Sequence, residues 1–307
     1  MPLHLRPLTG RDEIDLFNRL PYVLNREIAT DLDAGRRRLG WLWVALDSGR
    51  VVARAGFWAP PGDAVPMFLD VFDVAPGHLD AGVRLLTEAL ATVPRPEEYT
   101  RFVPAGWRDD PHVRREVENL IAALERTGAK LFVERLRLQW QAGTPLPPRS
   151  GRLTFRPVAD PEELVALMTD VMDGTLDAHG RADLTRMSAA QAARRQYDEE
   201  LSRYTSPREW WRIGCLPDGR PAGFVVPAHN GYNPIIAYIG VVPSHRGHGY
   251  IDEILAEGTG VLAAEGVPRI RAATDVGNVP MARAFARAGY EVVERQLDMV
   301  WSGQGVC

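Results

Sequence analysis

The sequence predicts an α/β chain built from two tandem copies of one domain, each a mixed β-sheet flanked by helices. Three observations predict it. The strand-like stretch L-H-L-R-P at 3–7 returns as L-T-F-R-P at 153–157. Two β-prone runs around a polar turn at 47–50 return around a turn at 217–220. A closing segment opened by Gly128 ends on Trp140, and its counterpart opened by Gly289 ends on Trp301. Self-similarity at so long a period marks a duplicated domain rather than a solenoid, and strands interleaved with helices mark a mixed sheet. Residues 141–151, Q-A-G-T-P-L-P-P-R-S-G, are too rich in proline and glycine for a helix or a central strand and read as a linker. The expected domains are therefore 1–140 and 152–307.

Each copy opens on a strand stopped by proline, Pro7 or Pro157, because proline removes a backbone donor. Acidic residues follow, Asp12 and Glu13 or Asp160, Glu162 and Glu163, and they suit the first turn of a helix. Residues 41–58 and 211–227 read as hairpins turned at D-S-G-R and P-D-G-R, with A-G-F at 55–57 answered by A-G-F at 222–224. In the second copy a β-prone run at 234–240 leads into V-V-P-S-H-R-G-H-G-Y at 241–250, and a helix is expected from 251 to about 265. A further β-prone run at 269–273, a helix after Asn278 and a last strand complete the copy. That strand carries V-E-R at 293–295, which echoes V-E-R at 133–135.

Bulk properties narrow the classes. The chain has 307 residues, 45% of them hydrophobic and 25% charged, with a net charge of −4. A general nucleic-acid binder would be strongly basic, so no nucleic-acid partner is expected. No apolar run reaches membrane-spanning length and residues 1–8 lack a leader pattern, so no membrane partner is expected and the cytoplasm is the expected compartment. Cys215 and Cys307 form neither a disulfide framework nor a zinc spacing, and no metal is expected. Cations are almost all arginine, which we read as coding bias.

The junction at 241–250 carries the most chemistry. An arginine and two glycines between a strand and a helix uncover a row of N–H groups at the positive end of a helix dipole, which suits a phosphate or pyrophosphate. In the first copy V-A-P at 74–76 stands where V-V-P stands at 241–243. Aligned onward, Leu79, Asp80, Ala81 and Gly82 take the places of Arg246, Gly247, His248 and Gly249. An aspartate there repels an anion. The first copy is expected to keep the fold and lack the site.

With these residues in view, the second copy resembles a GNAT-superfamily acyltransferase, and the tandem layout resembles actinobacterial double-GNAT proteins. The family's R/Q-x-x-G-x-G/A loop is matched by Arg246, Gly247, His248, Gly249, Tyr250 and Ile251. A second signature, asparagine followed by glycine and an aromatic, is matched by Asn278, Gly289 and Tyr290. The resemblance spans essentially 152–301 and, in degenerate form, 3–140. It implies acetyl-CoA, or another short acyl-CoA, as co-substrate. It further implies that the fourth strand of the domain splays from the fifth, so that Gly240, Val241 and Val242 bond pantetheine like an added strand. Asn278 would bond the cofactor or cap its helix; Arg246 would face phosphate or solvent.

Two departures stand out. The last loop position, usually glycine or alanine, is Ile251, whose branched side chain is expected to narrow the approach of an anion. The family's tyrosine proton donor is replaced by Phe285, which has no proton to give. The positions from which relatives supply a base are Ile235 and Ala237, both apolar. Asp275 and Tyr232 are the candidate catalytic groups by position, and His229 and Tyr232 are candidates for substrate contact. Asp173, Asp177 and His179 lie in the segment that covers the acceptor site in relatives. Each of these side chains also has a structural reading, as a cap, a solvated charge or a loop hydrogen bond, and Trp210 and Trp211 read better as packing. The expected activity is transfer of an acetyl or short acyl group to a primary amine of a small molecule or amino acid. The alternatives are a non-catalytic acyl-CoA-binding scaffold and an acetyltransferase of a peptide or protein amine, including an amine of a thiol pathway of the mycothiol synthase kind. Phe285 weighs against the last. Internal duplication is compatible with a monomer, and the sequence does not fix the oligomeric state.

Overall fold

The computed structural model describes residues 3–148 and 150–301; Cys307 lies outside them. The chain divides into two compact units, Met1–Glu134 with Gln296–Cys307, and Arg135–Arg295. This differs from a sequential cut at 141–151. Residues 135–141 pair along their whole length within the second unit, from Arg135↔Asp275 to Gln141↔Arg269. Met299 and Trp301 lie in the core of the first unit, where Trp301 Nε1 donates to Thr127 Oγ1 at 3.1 Å.

Unit 1 contains β1 (His4–Pro7), α1 (Ile14–Phe17), α2 (Ile28–Asp33), β2 (Leu42–Asp47), β3 (Arg50–Trp58), β4 (Phe68–Val74), α3 (Leu79–Thr92), β5 (Glu98–Pro104), α4 (Pro111–Glu125) and the start of β6 (Ala129–Gln141). Unit 2 contains the rest of β6, then β7 (Thr154–Pro157), α5 (Pro161–Met172), α6 (Ala178–Leu184), α7 (Ala189–Glu199), β8 (Arg212–Cys215), β9 (Pro221–His229), β10 (Pro234–Val241), α8 (Tyr250–Ala264), β11 (Arg269–Asp275), α9 (Val279–Arg287) and most of β12 (Glu291–Trp301), whose end belongs to unit 1. Strand order is β1-β2-β3-β4-β5-β12 in unit 1 and β6-β11-β10-β9-β8-β7 in unit 2. The sheets are mixed, because β4–β5 and β10–β11 are parallel while β1–β2–β3–β4 and β7–β8–β9–β10 are antiparallel. No helix among the described residues is long and apolar enough to cross a membrane.

The duplication is physical as well as textual. Arg6 bonds Glu13 through both guanidinium nitrogens, and Arg156 bonds Glu163 in the same way, so each first strand is tied to the start of its first helix. The ion pair lowers both carboxyls, Glu13 to about 2. In unit 2 the core on one face of the sheet joins α5 and α7 to β8 and β9 through Leu164, Met168, Ala192, Ile213 and Phe224, with Trp211 beside them. On the other face α8 and α9 pack through Ile254, Leu255, Ala284 and Phe285. Cys215 is buried in the first of these cores, as an incidental thiol would be.

Both units open the sheet at the same place. The β4–β5 ladder is confined to Phe68↔Glu98 and Leu69↔Tyr99, and the β10–β11 ladder to Ile235↔Arg271. Beyond those pairs the parallel strands part. What occupies each opening differs. In unit 1 Arg101 of β5 donates to the Phe72 carbonyl at 3.1 Å, pairs with Asp73 at 2.8 Å and lies 3.8 Å from the Tyr22 ring centre. The Tyr22 hydroxyl in turn accepts the Phe102 amide at 2.9 Å. Side chains thus take up backbone groups that the parting of the strands leaves unmatched, as buried polar groups require. The interior of β4, from Leu69 to Asp73, is accordingly buried. In unit 2 seven of the eight β10 residues are half-buried, Ile236 being the exception. The first opening is filled by the unit's own side chains, and the second stays accessible.

Candidate acyl-CoA site

The loop after β10 is built to leave amides uncovered. Gly247 and Gly249 have φ of +80° and +75°, left-handed values that glycine reaches without penalty. A side chain on Gly247 would meet nothing within 4 Å, so the glycine serves backbone conformation and open space rather than packing. The helices α5, α6, α7 and α9 are capped by side chains of Asp160, Asp177, Ser188 and Asn278, whereas α8 starts from Gly249 with no side-chain cap. Among the described residues none accepts a hydrogen bond from the amides of Gly247, His248, Gly249, Tyr250 or Ile251. Five such donors at a helix N-terminus have the geometry and dipole that suit an anion.

Two carboxylates in the first turn of α8 would repel an anion, and each is paired. Glu253 pairs with Arg152 at 2.7 Å, and Asp252 with Arg287 at 2.6 Å. Arg152 also donates to the His248 carbonyl at 2.8 Å and lies 5.0 Å from the Tyr250 ring centre, so it braces the loop from outside. Sequence reasoning missed Arg152, because nothing marks an arginine beside a linker as a partner of residues about a hundred positions away. Ile251 packs onto the core under α8 with Tyr250, Ile239 and Val241. The narrowing expected from its branched side chain is offset by that inward packing.

The corresponding turn of unit 1 is shorter. Residues 75–78 join β4 to α3, against residues 242–249 between β10 and α8. Matched by helix start, Leu79 stands with Tyr250 and Asp80 with Ile251. The arginine and the second glycine of the loop are therefore deleted in unit 1 rather than replaced residue by residue. Asp80 pairs with Arg126 at 2.7 Å in the first turn of α3.

The remaining residues singled out by sequence fall into two groups. Gly240, Val241, Val242, Arg246, Gly247, His248, Gly249, Tyr250 and Ile251 are contiguous with the accessible end of β10. Asp275 ends β11 on the other side of the opening, and Asn278 follows it, its amide donating to the Asp275 carbonyl at 2.9 Å. Asn278 Oδ1 accepts from the Met281 amide at 3.3 Å, which is the capping role. Among the described residues none accepts from its Nδ2, which leaves that donor for a ligand.

Asp275 is buried. Its Oδ2 accepts the Ala178 amide at 2.6 Å, and its Oδ1 lies 3.1 Å from Arg135 Nε, with Asp177 3.9 Å from the same guanidinium. Burial and then the charge of Asp177 push its carboxyl up. Tyr232 and His229 lie elsewhere. His229 ends β9 and Tyr232 lies in the turn before β10, where the His229 ring accepts the Gly231 amide at 3.1 Å. At about 3.3 Å per residue, the start of β10 is roughly 23 Å from the loop. Tyr232 lines a small cavity of about 380 Å³ with Gln139, Gln141, Asn233 and Arg269, and so stands apart from the loop.

Phe285 is buried with its ring 5.0 Å from that of Tyr290, whose hydroxyl is bonded to Thr259 at 2.8 Å. Neither supplies a proton to the opening. Tyr238, which sequence reasoning passed over as one aromatic in an apolar run, follows a bulge in β10 between Ile236 and Tyr238 and packs on Phe224. Burial, then Asp177 and Glu200, push its phenol up and keep it protonated at neutral pH. A larger surface groove, about 840 Å³, runs beside the loop between α5 and residues 242–245. No residue of β11 or α9 lines it, so it neighbours the opening between the strands without being it. Trp211 is core, as expected, with the Arg208 guanidinium 4.2 Å from its ring centre.

Comparison with known proteins agrees with this geometry. Residues 152–291 match the family model described as an acetyltransferase (GNAT) domain. No curated protein sequence matches the chain. Among solved structures, a GCN5-related N-acetyltransferase from Sphaerobacter thermophilus is 15% identical, with a TM-score of 0.59 over 97% of this chain and 94% of that one. A tandem GNAT protein from the clavulanic acid biosynthesis pathway is 20% identical, with a TM-score of 0.53 over 97% and 98%. A GCN5-related N-acetyltransferase from Kribbella flavida is 14% identical, with a TM-score of 0.52 over 94% and 98%. The fold is that of two tandem GNAT-like domains, and the stretch that matches the acetyltransferase (GNAT) domain model, residues 152–291, is the part of the chain that carries the loop.

Proposed function

We propose that unit 2 transfers an acetyl group, or another short acyl group, from acyl-CoA to a primary amine of a small molecule or amino acid, in the cytoplasm. The observation that carries this reading is the conjunction of five uncovered loop amides with a half-buried β10, against the filled opening of unit 1. The pyrophosphate would lie on the amides of residues 247–251, and pantetheine would extend along residues 240–242. A backbone amide of that stretch would polarise the thioester carbonyl as the neutral amine attacks it. The amine nitrogen forms the new bond to carbon, the carbon–sulfur bond breaks, and the amine's proton leaves to a base or to water. Asp275, held high by burial, is the carboxylate nearest the end of β11 that could receive it. Tyr238, protonated on β10, is the phenol that could return a proton to the departing thiolate in place of Phe285.

A second reading, acyl-CoA binding without transfer, rests on Phe285 and on the apolar Ile235 and Ala237. Release of the CoA thiol from acetyl-CoA against a panel of primary amines separates the two. Thiol release that requires an amine, lowered at least tenfold in kcat by Tyr238→Phe with KM for acetyl-CoA unchanged, supports transfer. Binding without release on any amine supports the second reading.

A further inference from the structure

Arg246 does not reach outward. Its Nη1 donates to the Asp173 carbonyl at 2.5 Å, its Nη2 to the Val171 carbonyl at 2.7 Å, and its Nε to the Val241 carbonyl at 3.2 Å. Val171 is in the last turn of α5 and Asp173 is its C-terminal cap residue, so two of these acceptors belong to carbonyls that a helix end leaves unmatched. A guanidinium there also meets the negative end of the helix dipole. The chain makes room for it. Gly174 turns at φ +62°, and a Cβ at that position would stand 3.2 Å from Arg246 Nη1.

We propose that Arg246 is a positioning residue, a latch that fastens the loop after β10 to the end of α5 and holds residues 173–178 in place. Those residues are tied at both ends by groups that flank the opening. Arg246, just after β10, holds the Asp173 carbonyl, and Asp275, at the end of β11, holds the Ala178 amide. Unit 1 lacks the latch together with the loop, and its Leu79 packs on the core of its own unit. With three of its donors turned to carbonyls, Arg246 shapes the row of amides, and the backbone meets the anion. This rests on the reading of unit 2 as the acyl-CoA site for its functional consequence, while the latch itself is made of protein atoms alone.

Hydrogen exchange followed peptide by peptide tests it on the full chain, for wild type, Arg246→Lys and Arg246→Ala, without ligand and with acetyl-CoA. Lysine keeps the charge but cannot span three diverging carbonyls. Without ligand, both variants are expected to speed exchange in residues 172–178 about tenfold, with α9 and unit 1 unchanged. Both are also expected to lose acetyl-CoA affinity to a similar degree. Unchanged exchange at 172–178 in either variant, exchange raised throughout the chain, or wild-type acetyl-CoA affinity in Arg246→Lys would overturn the latch. Failure of wild type to bind acetyl-CoA would instead overturn the acyl-CoA reading, while the ligand-free exchange still decides the latch.

Discussion

Replacing Gly247 by alanine, and Gly77 by alanine as its control in unit 1, isolates the loop from the fold. The two glycines have nearly the same backbone, φ +80° and +79°, and a Cβ on either would meet nothing within 4 Å. Steric cost is therefore absent and the backbone cost is shared, about 1–2 kcal/mol for a left-handed alanine. If the loop stays left-handed, that cost appears as lost stability; if it relaxes, it appears as lost affinity, about 5- to 30-fold. For Gly247→Ala the two losses together should reach about 1–2 kcal/mol, with affinity taking part of it. Gly77→Ala should lose stability alone.

Gly247→Asp adds a charge beside the bound anion. At about 5 Å, between the dielectric constants of water and of a protein surface, the added repulsion is about 0.8–3 kcal/mol per charge. Calorimetric titration with acetyl-CoA at low and high salt reads all three variants. The penalty of aspartate over alanine should shrink with salt, since exposed charges are screened, and the alanine penalty should not. Equal loss of affinity from Gly77→Ala and Gly247→Ala, or an aspartate penalty indifferent to salt, would refute the assignment of the anion to this loop.

Three other outcomes follow from the same geometry. Phe285→Tyr should cost about 1–3 kcal/mol in thermal or urea melts and leave kcat unchanged, because it buries a hydroxyl in a packed core. Arg101→Met should cost about 3 kcal/mol or more, by stripping a buried partner from Asp73, and should create no second acetyl-CoA site in a titration. Because Glu13 is lowered from an ordinary 4.5 to about 2, its contribution is complete above pH 4.5 and is lost as pH falls toward 2. Urea melts across that window should therefore show a smaller loss of stability in Glu13→Gln than in wild type.

Much of this architecture was legible in the sequence because local chemistry wrote it there twice. L-H-L-R-P and L-T-F-R-P become first strands whose arginines hold Glu13 and Glu163, and the glycines of 247–249 become the left-handed turn that their spacing suggests. What stayed hidden depends on contacts remote in sequence. Tyr22 and Phe102, 80 positions apart, help fill the opening of unit 1, and no local pattern announces that pairing. Arg246 resembled a phosphate ligand because a one-dimensional motif does not show that the end of α5 comes to meet it. Tyr232 was read in the loop before β10, and the sequence does not show that the length of that strand, roughly 23 Å, stands between it and residues 242–249. Leu79 was aligned with Arg246 because spacing alone does not reveal the deletion that shortens the first turn.

A duplicated chain with one open acyl-CoA site should bind a single acetyl-CoA, so the stoichiometry of binding decides between one site and two. Calorimetric titration should give one equivalent per chain, its affinity weakened by Gly247→Asp and untouched by Gly77→Ala. Two equivalents per chain, or none, would contradict the single site.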